Sequence, residues 1–326
     1  MRRPASGPGW WRGGPRARFK RQGLLSLAQA RCLTAFMTGI PELLDQVQAL
    51  VRERYILESD APTIAGGVAE LAPELAGLEP EAVAETLTRR LQRVNNDRHL
   101  RVRYRPQGAA TGFGGAEYEA LHTAEAQRNA GGIRQVRLLD GGTGVLQIAP
   151  YLSPVHLAEP YVRAAFTLLA SVTSLVIDLR EGRGGTPRTV ALICGYLLGK
   201  EPVHLQDIEE RDGPTRQYWT TPAATRIDAP ILVLTSRQTF SGCEELAYNL
   251  QALQRAKVVG ETTGGGAHPV ESIALTGVLE LHLPSARSVN AVTGTNWEQV
   301  GVVPDLACAA EDALETALRH QESPKV

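Results

Sequence analysis

The chain contains two similar units, each an apolar run followed by a glycine-bearing turn and a helix-like pattern. Residues 174–178 and 231–234 are the two apolar runs, and residues 188–198 and 242–253 have helical spacing. Short, continuous apolar runs are typical of strands that helices cover on both faces. Strands that alternate with helices are joined by right-handed crossovers. The pattern predicts an α/β fold with a mixed, partly parallel sheet flanked by helices.

The remaining sequence divides the chain into further segments. The first 23 residues contain seven Lys or Arg and no acid, so residues 1–36 are expected to be a disordered basic leader. An over-long start upstream of Met37 and a basic export leader are the open alternatives. Apolar residues at helical spacing predict a small helical domain at residues 37–98. Residues 99–132 are expected to be a strand and a linker, and residues 133–326 the α/β core.

Composition excludes several classes of function. A net charge of −1 over 326 residues gives no reason to expect a nucleic-acid partner. The sequence lacks an apolar run of about 18 residues, so stable membrane insertion is not expected. Glycine motifs for dinucleotides or phosphates are absent, so no cofactor is expected. The sequence contains four cysteines without a C-x-x-C pair, which predicts no metal site and a reducing, cytoplasmic location.

Ser241 lies where the second apolar run passes into its helix. Glu244 and Glu245 follow in the first helical turn, where the helix dipole favours acids. A serine at such a junction exposes its hydroxyl at the carboxyl end of a strand, as acyl transfer requires. A serine that only caps the helix is the alternative interpretation.

Glycines at the ends of both apolar runs could surround a substrate oxygen. Gly184 and Gly185 follow the first run, and Gly242 follows Ser241. Glycine lets backbone N–H groups approach a ligand closely, and two such donors would form an oxyanion hole. A simple tight turn at Gly184 and Gly185 is the alternative.

Two further residues are candidates for supporting a nucleophile. His99 lies between a predicted helix and a predicted strand, where a side chain is held firmly. Glu298 precedes the last strand, and a carboxylate can orient a histidine. His268, in a glycine-rich loop, is expected to shape the pocket. The alternatives are a histidine that favours a helix dipole and an ordinary surface glutamate.

Together these segments resemble the C-terminal-processing (tail-specific) protease superfamily. The resemblance is strongest to its branch of tricorn-type proteases and interphotoreceptor retinoid-binding protein modules. The matching segments are residues 97–102 (DRHLRV), 176–180 (VIDLR) with Gly184 and Gly185, 235–245 (TSRQTFSGCEE), 259–269 (VGETTGGGAHP) and 297–305 (WEQVGVVPD). The resemblance implies a crotonase-like or ClpP-like core. Residues 105–132 are too few for the PDZ domain that many relatives carry.

The resemblance also implies a mechanism. Tail-specific proteases use a Ser–Lys pair, but Gly266 occupies the lysine position here. Tricorn-type proteases use serine, histidine and glutamate, which match Ser241, His99 and Glu298. The resemblance therefore implies a serine peptidase that acts on peptides or unfolded proteins, with homo-oligomerisation open. An esterase with the same residues is a further alternative. A second alternative is a module for retinoids or fatty acids, with a pocket near Trp219 and Trp297.

Overall fold

The computed structural model describes residues 39–109 and 116–322, so the expected leader at residues 1–36 lies outside the described part. The described chain begins with helices whose apolar faces share one core, as the helical spacing predicts. Each of these helices has a proline in the first turn, where its missing N–H costs nothing. The four helices are α1 (Ile40–Arg54), α2 (Ala61–Ala69), α3 (Ala72–Leu75) and α4 (Pro80–Leu91).

A six-stranded sheet forms the centre of the second part of the chain, and its strand order is β14-β10-β9-β5-β3-β2. Neighbouring strands are parallel except for the antiparallel edge pair of β2 and β3. This arrangement confirms the predicted mixed, partly parallel sheet. The strands are β2 (Ile133–Leu138), β3 (Thr143–Ile148), β5 (Ser174–Asp178), β9 (Ile231–Thr235), β10 (Ala256–Gly260) and β14 (Leu306–Ala307).

Helices cover both faces of this sheet, which explains why its central strands are apolar throughout. Three helices bury one face together with the largest apolar core. A fourth helix packs its alanines on the opposite face. The first three are α6 (Val155–Leu168), α7 (Pro187–Leu197) and α8 (Gly242–Ala252), and the fourth is α9 (Ala313–Glu322).

Three smaller sheets surround the central one. The first has the order β1-β12-β11 and is antiparallel, the second has the order β13-β7-β8, and the third is the parallel pair β4-β6. None of the helices in the described part is both long and apolar enough to cross a membrane. The strands are β1 (Arg101–Tyr104), β4 (Tyr151–Leu152), β6 (Gly184–Gly185), β7 (His204–Glu210), β8 (Arg216–Trp219), β11 (Val270–Ala274), β12 (Leu279–Pro284) and β13 (Ala286–Asn290).

The segment expected to be a linker, within residues 99–132, instead contains helix α5 (Ala116–Arg128). Its sequence has no apolar stripe, which is why periodicity gave no helical signal. The segment is rich in alanine and glutamate, which have high intrinsic helix propensity. The prediction of a linker is therefore wrong for this stretch.

Candidate active site

Ser241 occupies the turn that connects strand β9 with helix α8. Its backbone has φ +53° and ψ −128°, a conformation that residues other than glycine rarely adopt. Ser241 as a whole is half-buried. The Ser241 N–H donates a 2.7 Å hydrogen bond to Glu244 Oε2. A strained backbone held by a specific bond is a feature of functional turns.

The glycine pair of β6 lies directly against this turn. A Cβ atom placed on Gly184 would lie 3.0 Å from the Ser241 Cβ and 3.4 Å from its Oγ. A Cβ atom on Gly242 would lie 2.6 Å from the Gly185 carbonyl oxygen. Both turns follow neighbouring parallel strands, β5 and β9. They therefore lie at the carboxyl ends of the strands, where α/β folds bind ligands. The structure thus brings together Ser241 and all three predicted oxyanion glycines.

His99 lies beside the same turn but does not bond to the serine. Its ring centroid is 4.6 Å from that of Phe240, the residue before Ser241. Its backbone N–H donates a 2.9 Å hydrogen bond to Asp97 Oδ1, which fixes the backbone at this position. His99 is only 5% exposed, and its Nδ1 is buried without a partner. Between the described residues, no hydrogen bond joins the His99 ring to the Ser241 hydroxyl.

The surroundings of His99 favour a neutral ring. Burial lowers the pKa of His99 to about 3, and the Asp97 carboxylate opposes this shift only in part. An unprotonated imidazole at neutral pH has a free lone pair to accept a proton. Its burial nevertheless makes the imidazolium costly to form unless a negative charge approaches.

The predicted partner of His99, Glu298, contacts a different histidine. Glu298 Oε2 accepts a 2.6 Å bond from the Ala267 N–H and lies 3.7 Å from His268 Nδ1. His268 Nδ1 is also 3.0 Å from Asp97 Oδ2. Between the described residues, no hydrogen bond joins Glu298 to His99, and His268 instead lies between Glu298 and Asp97. Glu298 Oε1 remains buried without a partner, as His99 Nδ1 does.

An acid–histidine cluster near the serine turn consists of Asp97, His268 and Glu298. Burial disfavours the charged His268, but the bond to Asp97 and the charge of Glu298 raise its pKa overall. Burial also works against the ionised Asp97, yet its bond to His268 leaves its pKa lowered. One ligand atom from each residue lies within 4.8 Å of the others, a spacing that a metal ion could bridge. The direct hydrogen bond from His268 to Asp97 already pairs the charges of these two residues.

Glu244 is a site residue to which the sequence analysis gave no role beyond the helix dipole. Its carboxylate accepts bonds from the Ser241 N–H, the Thr263 hydroxyl, and the Gly265 and Gly266 N–H groups. It thereby ties the serine turn to the loop that carries His268. The spacing of Ser241 and Glu244 is that of a capping box, a signal already present in the sequence.

The two tryptophans named for a possible apolar ligand site lie in different environments. Trp297 is 2% exposed and donates a 2.7 Å hydrogen bond to the Gly266 carbonyl. Trp219 is 48% exposed on β8 and stacks on His204. Trp297 is therefore part of the support of the glycine loop.

Comparison with protein-family models identifies the family to which this fold belongs. The chain belongs to peptidase family S41, whose family model matches residues 142–308. Residues 25–128 match the N-terminal domain of peptidase S41 in eukaryotic interphotoreceptor retinoid-binding protein. Both matches confirm the resemblance predicted from the sequence motifs.

Two solved structures support the same fold, and a third matches only part of the chain. A candidate peptidase from Parabacteroides merdae is 19% identical with a TM-score of 0.60, over 87% of this chain and 97% of that one. The tricorn protease is 15% identical with a TM-score of 0.56, over 86% of this chain and 35% of the other. The photosystem II D1 C-terminal processing protease is 24% identical with a TM-score of 0.44 over 53% of this chain. The match spans 45% of that protease.

Proposed function

We propose that this protein is a serine peptidase in which Ser241 is the nucleophile and His99 the general base. The observation that carries the proposal is the close packing of Gly184 and Gly185 around the strained Ser241 turn. This packing leaves a serine hydroxyl beside backbone groups that can stabilise an oxyanion. Membership of family S41 supports peptide bonds as the target.

In the proposed reaction, the Ser241 oxygen attacks the peptide carbonyl while His99 takes the hydroxyl proton. N–H groups of Gly242 and of the Gly184 turn stabilise the negative oxygen of the tetrahedral intermediate. His99 then returns the proton to the leaving amine, and an acyl-enzyme remains. A water molecule then attacks the acyl-enzyme with the same two proton transfers through His99, and the second product is released from Ser241. The absence of a preformed bond between His99 and Ser241 is compatible with this role, since such bonds often tighten only with substrate.

We assign Glu298 to stabilising the His99 imidazolium. The two residues have complementary unpaired atoms, His99 Nδ1 and Glu298 Oε1, and both atoms are buried. Burial disfavours the ionised form and raises the pKa of Glu298, although the charge of His268 opposes this. A cation on His99 would favour the ionised form of Glu298, since opposite charges stabilise each other. His268 positions the glycine-rich loop, and Asp97 positions the backbone at His99.

The nucleophile is tested with a fluorophosphonate probe, which labels reactive serines. We expect the wild-type protein to be labelled and Ser241→Ala to be unlabelled but folded. Ser171→Ala, which changes an exposed serine, is the matched control and should keep full labelling. A folded wild-type protein that is not labelled would contradict the nucleophile assignment. Parallel assays with a peptide and an ester substrate then separate a peptidase from an esterase.

The base and its partner are tested by kinetics. We expect His99→Gln to lower kcat by at least about 10², within the usual range for general bases. Glu298→Gln should lower kcat more than His268→Gln does, because only Glu298 has an unpaired oxygen for the imidazolium. Equal or reversed effects would instead assign the histidine-stabilising role to the Asp97–His268 pair.

A further inference from the structure

The ring of His99 has no hydrogen bond that would orient it within the described part of the chain. Its Nδ1 is buried without a partner, and its Nε2 likewise forms no bond with those residues. A general base must nevertheless be held in one orientation, and a catalytic histidine usually obtains it from a hydrogen bond to a third group. The contacts that orient His99 before a substrate arrives must therefore come from packing.

The ring of Phe240 lies against His99. Phe240 immediately precedes Ser241 and is 9% exposed. Its ring centroid is 4.6 Å from that of His99, with 37° between the ring planes. Its backbone N–H donates a 3.0 Å hydrogen bond to the Gly182 carbonyl, which fixes the main chain at this point. Phe240 thus contacts the base through its side chain and is joined to the nucleophile through its backbone.

The glycine-rich loop packs against the same two rings. A Cβ atom on Gly266 would collide with the Phe240 ring and would lie 2.7 Å from His99 Cε1. A Cβ atom on Gly264 would lie 2.9 Å from Phe240 Cδ2. The loop backbone can approach this closely only because these positions lack side chains. It leaves little room for either ring to turn.

Arg98 connects Phe240 with this loop. Its guanidinium carbon is 5.1 Å from the Phe240 ring centroid, within the range of a cation–π contact. Its Nη1 donates a 2.9 Å hydrogen bond to the Gly264 carbonyl, and the Gly264 N–H donates a 2.9 Å bond to the Thr239 carbonyl. Arg98 is exposed and forms no ion pair with the residues that the structure describes. Its contacts are thus an aromatic ring and a backbone carbonyl, both beside the serine turn.

We propose that Phe240 is a positioning residue for His99 and that Arg98 holds Phe240 in place. This inference rests on the proposed peptidase function, in which His99 is the base. Arg98 and His99 are consecutive, as are Phe240 and Ser241. The contact between Arg98 and Phe240, called the clamp below, therefore joins the segment of the base to the segment of the nucleophile. Loss of the aromatic ring would let the imidazole rotate, and a misaligned base takes up the serine proton slowly.

The clamp is tested by the kinetics of inactivation with a fluorophosphonate probe, which give a maximal rate and a half-saturation concentration. We expect Phe240→Leu and Arg98→Met to lower the maximal rate about tenfold or more, because alignment of the base is lost. The half-saturation concentration should change less than about twofold, since probe binding is not altered. Arg98→Lys keeps a cation over the ring and should retain the rate within about threefold.

Matched controls separate positioning from ordinary packing of the Phe240 ring. Phe166→Leu removes another buried ring, which stacks on Tyr196 at 4.3 Å in helix α6, and should lower stability but not the rate. Arg93→Met removes an exposed arginine outside the clamp and should keep both. A wild-type rate in folded Phe240→Leu or in Arg98→Met overturns the clamp. Equal rate losses in Phe240→Leu and Phe166→Leu also overturn it, in favour of general packing.

The orientation of His99 is measured without any reaction by NMR of its Cε1 proton, assigned through His99→Gln. The ring current of Phe240 shifts this resonance in the wild-type protein. Arg98→Met should move it toward its position in Phe240→Leu, whereas Arg98→Lys and Arg93→Met should leave it in place. Arg98→Met changes only an exposed side chain, so this measurement remains decisive if Phe240→Leu fails to fold.

An unmoved resonance in Arg98→Met overturns the clamp, whether or not the protein cleaves peptides. A folded wild-type protein that the fluorophosphonate does not label contradicts the peptidase function instead. The two failures are therefore distinguishable.

Discussion

At the residue scale, Glu244 links the nucleophile to the rest of the site. Four donors converge on its carboxylate, three of them from the loop that ends at His268. Gly266 in that loop also lies against His99, since a Cβ atom there would be 2.7 Å from His99 Cε1. The position of the serine relative to the base therefore depends on one buried carboxylate.

Ionisation of Glu244 should control activity near neutral pH. Burial raises its pKa to about 7 even though the four bonds act in the opposite direction. Protonation of Glu244 would occupy an oxygen lone pair that accepts a hydrogen bond from a backbone N–H in the ionised state. Activity should therefore be lost as pH falls through about 7. His99, with a pKa of about 3, would not titrate there. This loss should appear as the acidic limb of a profile of kcat/KM against pH.

Glu244→Gln should abolish this limb and lower kcat about tenfold to a hundredfold, as small misplacements of catalytic groups do. Glu245→Gln is the matched control, because Glu245 is equally buried but has an unpartnered oxygen. We expect that control to keep the limb near pH 7. An unchanged limb in Glu244→Gln would assign the titration to another group.

At the element scale, the short strand β6 builds one wall of the site. Gly184 has φ +133°, in a region that side chains disfavour, and its Cα faces the Ser241 side chain. Its pairing with β4 holds this backbone beside the nucleophile. Glycine is therefore required here both for the conformation and for the space.

Gly184→Ala should lower kcat by about 10² to 10³, the loss expected when an oxyanion donor is displaced. Gly77→Ala is the matched control, since Gly77 also has positive φ but faces open space away from the site. Both changes strain the backbone, and only the first should reduce peptide hydrolysis. Full activity of a folded Gly184→Ala protein would exclude this turn from the oxyanion site.

At the scale of the whole molecule, the N-terminal helices and the C-terminal half share a core. Leu279, Leu281 and Leu283 of β12 pack among the helices of residues 40–91. The predicted boundary at residue 98 is thus crossed by a continuous apolar cluster. This packing also fixes β1, and with it His99, against the hairpin that follows the His268 loop.

Leu281→Ala should destabilise the protein by about 2–5 kcal/mol, because it opens a cavity in this shared core. Leu281 is fully buried, whereas Leu138→Ala removes a 63% exposed leucine and should change stability by less than about 0.5 kcal/mol. Urea unfolding gives both values. A small effect at Leu281 would show that the shared core contributes little.

The sequence by itself determined the strands of the central sheet, the Ser241 turn and the family motifs. These features depend on neighbouring residues: apolar runs, glycines and capping spacings act within a few positions. The same local rules missed helix α5, whose alanines and glutamates leave no apolar stripe.

Only the tertiary structure decided which side chains meet. Glu298 and His99 are far apart in sequence, and no local rule shows that His268 lies between Glu298 and Asp97. The pairing of Glu280 on β12 with Arg105, next to the end of β1, and with His282 likewise follows only from the tertiary structure. Contacts between distant segments arise from the packing of whole helices and strands. The partners and the charge states of the site residues therefore follow from the fold.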